Sequence, residues 1–193
     1  CYIVKGTMLR VSDTVSADKT LLKGHKSFIT DLFFSGVSSE SLCSVDMSRD
    51  GDGVFFWRLS SSEGALSSQI TGRFAVSACL VRPHPVLAGL WVISDGTQLG
   101  ILSEHHPSDT VKGYGDFNMH KLFPEGVRGA EFCSDGLQLI VTAGEGAHSS
   151  MYIFKLPSQN ELSRLHESRF ELSLVFHIPM GNLQSASFLH STG

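Results

Sequence analysis

The chain has 193 residues, long enough for one domain with a substantial core. Its net charge is -4 with 18% charged residues, which excludes a broadly basic surface built to hold nucleic-acid backbone. Gly (19) and Phe (13) are plentiful while long Ala/Leu/Glu/Lys-rich stretches are missing, so the composition leans towards strands and turns. In chain order, "YIVKG", "TMLRVSD" and "KTLLKG" read as short strands. After Gly24-His25 comes "FITDLFF", with Phe28, Thr30 and Leu32 on one side and Ile29, Asp31 and Phe33 on the other. "SLCSVD", a polar loop "MSRDGDG" and "VFFWRL" follow, which makes three strands between 28 and 59. "SSSEGALSSQ" then reads as a connecting loop.

The next set is "FAVSACLV", "VLAGLWVIS", a turn at Asp95-Gly96 and "TQLGIL". Residues 103 to 121 read as a long irregular insertion. "GVRGAEFC", the turn "SDG", "LQLIVTAG" and "MYIFKL" repeat the pattern. Ser158 and Glu161 have capping-box spacing, with Leu162 and Leu165 on one face of a helical turn. "ELSLVFHI" and "LQSASFL" read as strands again. Phe34, Leu80 and Phe132 end comparable first strands, and Trp57 and Phe154 end comparable third strands. Loose repetition of this size predicts a propeller whose blades are small antiparallel sheets.

Gly24-His25 and Trp57 lie 32 residues apart, which suits one WD40 unit of about 40–45 residues. A buried indole N–H needs a partner. An imidazole held by a hydroxyl or carboxylate can join the loop to the strand. His25, Ser44, Asp46 and Trp57 are therefore expected to form a structural hydrogen-bond relay. In the blade ending at Phe154, the position of His25 falls on Leu122 or Phe123, so that blade relies on apolar packing. The expected fold class is all-β: a partial WD40-type β-propeller over residues 1–193, with about three complete blades plus flanking strands of neighbouring blades. Three blades cannot close a ring, so the chain is expected to be a portion of a larger propeller. Its start at Cys1, without Met, points the same way.

The stretch from about 8 to 59 resembles the WD40 domain of the enhancer-of-mRNA-decapping scaffolds, the Varicose-type family. The resemblance is carried by Leu9-Arg10-Val11, Thr20-Leu21-Leu22-Lys23-Gly24, Thr30-Asp31-Leu32 and Phe56-Trp57-Arg58-Leu59. It implies a non-enzymatic scaffold with protein partners, the decapping enzyme or its activator, working in the cytoplasm and in processing bodies. The alternative is an unrelated WD40 adaptor in another complex.

Other chemistries find little support in the spacing. Gly144-x-Gly146 follows an apolar strand, but Ser149 holds the third glycine position and a strand comes next, so no dinucleotide-binding turn is expected. Glu104-His105-His106 precedes Pro107 without metal-site spacing, His84 between two prolines in "RPHP" reads as a turn, and His148, His166 and His190 have no spacing that links them. Asp50 and Asp52 sit in a glycine-containing polar loop, and no G-x-S-x-G occurs. No catalytic residue, metal site, cofactor or small-molecule substrate is expected. The phenylalanines alternate along strands, so they are assigned to the core rather than to base stacking. Cys1, Cys43, Cys79 and Cys133 are widely spaced without a C-x-x-C, as expected for reduced thiols in an intracellular protein. No membrane span is expected.

Overall fold

The computed structural model describes residues 2–4, 6–48, 52–62, 65–104, 120–162, 172–181 and 186. These form four antiparallel sheets in chain order, each a simple meander. The first holds β1 (Tyr2–Val4), β2 (Met8–Ser12) and β3 (Lys19–Lys23). The second holds β4 (Ile29–Phe34), β5 (Ser41–Asp46), β6 (Val54–Ser62) and β7 (Ala65–Phe74). The third holds β8 (Leu80–Pro83), β9 (Leu90–Ser94), β10 (Gln98–Ser103) and β11 (His120–Leu122). The fourth holds β12 (Val127–Phe132), β13 (Gln138–Ala143), β14 (Ser150–Lys155) and β15 (Ser173–Pro179). A short 3-10 turn at Gly146–His148 and one α-helical turn, α1 (Gln159–Leu162), interrupt the pattern. There Glu161 accepts hydrogen bonds from the Ser158 N–H at 2.8 Å and hydroxyl at 2.6 Å, and Leu162 is buried.

The sheets stack face to face. Successive side chains of a strand point to opposite faces, so a strand between two sheets must be apolar on both. In β5, Leu42 joins Leu9, Val11 and Leu22 of the first sheet, while Cys43 and Val45 join Val81, Trp91 and Ile93 of the third. Leu90, Val92, Leu139 and Val141 lie in the cluster between the third and fourth sheets. Full burial of each such aliphatic side chain contributes roughly 1.5–3 kcal/mol. The first strands of successive sheets lie side by side, β4 by β8 and β8 by β12.

One backbone hydrogen bond recurs at each junction. The carbonyl at the turn between the second and third strands of one sheet, counted in the four-strand pattern, accepts an N–H from the entry to the next. Ile29 donates to Gly6 at 2.7 Å, Ala78 to Asp46 at 2.8 Å and Val127 to Gly96 at 2.7 Å. The sheets therefore share one phase along the stack.

Several boundaries differ from the sequence expectations. The serine-rich "SSSEGALSSQ" is not a plain connector: Ser60 to Ser62 extend β6, and β7 begins at Ala65. Its half-buried positions alternate with exposed ones, so polar residues on the open side do not disturb the ladder. "FAVSACLV" is not one strand. Phe74 ends β7 and Leu80 begins β8, so Leu80 is not comparable to Phe34 or Phe132. The chain between them crosses over Gly53, where a Cβ would lie 2.3 Å from the Val76 carbonyl oxygen. Trp57 lies inside β6, not at its end. Residues 86 to 89 turn before β9, and β11 begins inside the expected insertion. "LQSASFL", Leu165, Asp50, His105, His106, His166, His190 and Cys1 lie outside the described residues, "LQSASFL" apart from Ala186.

Candidate functional site

The connector from β3 to β4 carries Gly24 and His25 across the rings of β6. A Cβ on Gly24 would stand 2.9 Å from Phe55 and 3.3 Å from Trp57, so the close approach requires glycine. The imidazole then meets Phe55 edge-on at 4.4 Å, and Phe55 stacks on Trp57 at 5.6 Å. Beneath them the four polar groups touch in sequence. His25 Nδ1 lies 2.7 Å from Asp46 Oδ2, His25 Nε2 lies 2.6 Å from Ser44 Oγ, and Trp57 Nε1 lies 2.8 Å from Ser44 Oγ.

Donor accounting fixes the protons. An indole N–H only donates, so the Ser44 oxygen accepts it and turns its own proton to His25 Nε2. Nδ1–H then donates to the Asp46 carboxylate. Burial pushes the His25 pKa down, and the hydrogen bond and charge of Asp46 only partly oppose this, so the ring is neutral. The other carboxylate oxygen, Asp46 Oδ1, accepts the Ser48 N–H at 2.6 Å, which fixes the loop after β5.

A Ser, His and Asp in contact could form a nucleophilic triad. The burial argues otherwise: Ser44 and Asp46 are 0% exposed and His25 is 8% exposed. The Ser44 hydroxyl is already engaged on two sides, whereas a nucleophile must reach an incoming carbonyl.

Strand register shows what the fourth sheet does instead. Leu42 pairs with Phe34 and Trp57, and Leu139 pairs with Phe132 and Phe154. Counting from these pairs, His25, Ser44, Asp46 and Trp57 correspond to Phe123, Val141, Ala143 and Phe154. All four replacements are apolar and buried. Tyr152 stands in for Phe55, meeting Phe123 edge-on at 5.2 Å and stacking on Phe154 at 6.2 Å. Of the two candidates for the His25 position, Phe123 occupies it.

Sequence reasoning placed His84 in a turn and missed its burial. His84 is 0% exposed. Its Nδ1 accepts the Val86 and Leu87 N–H groups at 3.2 and 2.9 Å, and its Nε2 donates to the Gly136 carbonyl at 3.2 Å. It thereby clips the turn after β8 to the turn after β12. Gly136 has φ +72, and a Cβ there would sit 2.2 Å from the imidazole. No local signal marks this burial, because the "SDG" turn that covers His84 lies 52 residues away in sequence. Asp31 makes a second clip, accepting the Val81 N–H at 3.0 Å and pairing with Arg82, whose guanidinium lies 4.3 Å from the centre of the Phe33 ring. Trp91, unlike Trp57, has no partner for its indole N–H among the described residues.

Two apolar side chains project beside the relay. Ile29 and Asp46 are register partners, and Phe28 and Met47 are the next residues outward: the Phe28 ring covers Gly6 in the first sheet, and Met47 Sδ accepts the Ser77 hydroxyl at 3.7 Å. Phe28 is 73% exposed and Met47 43%. Among the described residues no group of three His, Cys, Asp or Glu side chains could hold a metal, and no helix is long and apolar enough to cross a membrane. Cys43, Cys79 and Cys133 are free thiols.

Solved structures share this architecture. Sqt1 of Chaetomium thermophilum aligns with 95% of this chain and 46% of its own, at TM-score 0.60 and 14% identity. Sqt1 of Saccharomyces cerevisiae aligns with 77% and 39%, at 0.54 and 12%. Hsv2p of Kluyveromyces lactis aligns with 92% and 60%, at 0.56 and 13%. The chain has the WD40-type β-propeller fold. In that fold the four sheets are blades, three of them complete and the first three-stranded. The chain spans about half the length of these WD40 proteins, and at such identity the likeness carries the fold alone. No protein-family model matches the sequence, and no curated protein matches it.

Proposed function

We propose that this chain is a non-enzymatic platform for protein partners, working as part of the WD40 domain of a cytoplasmic mRNA-decapping scaffold. The observation that carries the platform reading is the exposure of Phe28 and Met47 at the same blade end. These two exposed apolar side chains lie on a blade end whose loop and strands His25, Ser44, Asp46 and Trp57 tie together. A rigid mount lowers the conformational cost of binding, and aromatic and Met side chains are enriched at interface cores. The decapping assignment rests on the resemblance over residues 8 to 59. It names the decapping enzyme or its activator as the partner, without direct nucleic-acid contact, and processing bodies as the place.

The same reading takes residues 1–193 as part of a larger propeller. On the far face of the fourth blade, Ile140, Met151 and Ile153 hold the register positions of Cys43, Val54 and Phe56, which the third blade covers. Beside them Phe176 is 59% exposed and Ile178 38%. A further blade suits that face.

The test is capture from nuclease-treated cytoplasmic extract, with Phe28→Ala/Met47→Ala as control. Recovery of the decapping enzyme or its activator by the unaltered chain, lost in the double variant, is expected. Recovery of a different assembly, dependent on Phe28 and Met47, keeps the platform and replaces the decapping assignment by an unrelated WD40 adaptor. Partners indifferent to both residues would remove the platform site.

A further inference from the structure

On the opposite face, at the other end of β4, a groove of about 680 Å3 opens between the first and second blades. Val11 and Leu59 are buried beneath it, and Phe34 and Leu66 form half-buried walls. Asp13 and Glu40 stand at its rim with serines between them, and no Lys, Arg or His lines it. Asp13 is held by the Val15 and Ser16 N–H groups at 2.7 and 3.1 Å, which lower its pKa and keep it ionised. Among the described residues neither carboxylate has a cationic partner.

We infer that this groove receives a short extended segment of a partner protein that places an apolar side chain on the floor and a lysine or arginine at the rim. An apolar floor alone would not choose an occupant. Two rim carboxylates with no cation of their own do choose, because they attract a positive segment and repel an acidic one. The serine hydroxyls can both donate and accept, which suits an extended backbone whose polar groups must be met. The site adds a second contact to the platform proposed above, on the face away from Phe28 and Met47, and takes from that reading only that the partner is a protein.

The probe is a short fluorescein-labelled peptide of alternating leucine and lysine, with a counterpart carrying glutamate for lysine, read by fluorescence anisotropy. The lysine peptide should bind and the glutamate peptide should not. Glu40→Lys should weaken the lysine peptide at least about tenfold, and Leu66→Ser should weaken it as well. Phe28→Ala/Met47→Ala should leave it unchanged, which separates this site from the capture experiment. Failure of the lysine peptide to bind, equal binding of both peptides, or full affinity in Glu40→Lys overturns the inference. Circular dichroism spectra matching the parent chain establish that each variant is folded.

Discussion

Phe123 meets Phe154 edge-on at 6.1 Å, at the register positions that His25 and Trp57 hold in the second blade. One location in the fold is thus filled in two ways within one chain. In the second blade a loop is tied to its strands by hydrogen bonds, and in the fourth by apolar contact. A buried polar set is costly when half-satisfied and close to neutral when replaced whole by well-packed apolar groups.

The relay should therefore respond non-additively to substitution. His25→Ala strands a buried carboxylate and should cost about 3–5 kcal/mol. Replacing all four residues by the fourth blade's set, His25→Phe, Ser44→Val, Asp46→Ala and Trp57→Phe, should cost less than the sum of the single changes. Urea unfolding midpoints at constant m-value check this. A sum that adds would show the four act independently.

The two tryptophans should differ. Trp57→Phe loses ring volume, a hydrogen bond and a partner for Ser44, whereas Trp91→Phe loses ring volume and an indole N–H without a partner among the described residues. The first should be the more destabilising by about 1 kcal/mol or more. Thermal denaturation of the pair decides.

Acid should weaken the fold through both buried imidazoles. Burial lowers the pKa of His25 and of His84 below the ordinary 6.5, so the unfolded chain binds more protons just below that pH. Stability from these groups is full above about pH 6.5 and is lost as the pH falls towards their folded values. Urea midpoints should drop between roughly pH 7.5 and 5.5. His84→Gln should flatten part of that slope, and an unchanged slope would show that His84 does not titrate in unfolding.

At the clip between the third and fourth blades, Gly136→Ala should destabilise by about 1–3 kcal/mol, because its φ is +72 and the new methyl meets the imidazole. Combining it with His84→Ala should cost less than the two separately, since the clash is then gone.

Asp31 should matter more than its ion pair suggests. Arg82→Ala removes a largely buried ion pair and the contact with Phe33, and should cost about 1–2 kcal/mol. Asp31→Ala also frees the Val81 N–H and should cost about 1–2 kcal/mol beyond that. A double-mutant cycle read in urea separates the two.

Strand alternation made most of the architecture legible in the sequence. β9 and β13 read as strands because they are short apolar runs bounded by turn signals. The Gly24-His25 and Trp57 spacing pointed to one blade, and the partner positions Ser44 and Asp46 followed from the need of an indole and an imidazole for hydrogen bonds. Other features left no local trace. The serines of β6 and β7 look like loop residues until a neighbouring ladder fixes them. The split at Phe74 and Leu80 depends on a crossing over Gly53, contacts far apart in sequence. His84 is buried by Gly136, 52 residues away, and no reading of "RPHP" alone shows it.

The two-sided burial of β5 has a further consequence. One inserted residue within Ser41–Asp46 would move Leu42 and Cys43 to each other's neighbours, placing every side chain beyond it in the wrong interior. Frameshifting the pleat in this way damages two junctions with one error, whereas the same insertion in the exposed turn at Val37 to Glu40 disturbs neither. Tolerance to length variation should thus run sharply from the rim of each vane to its middle ribbon, making the central strands the molecule's ruler.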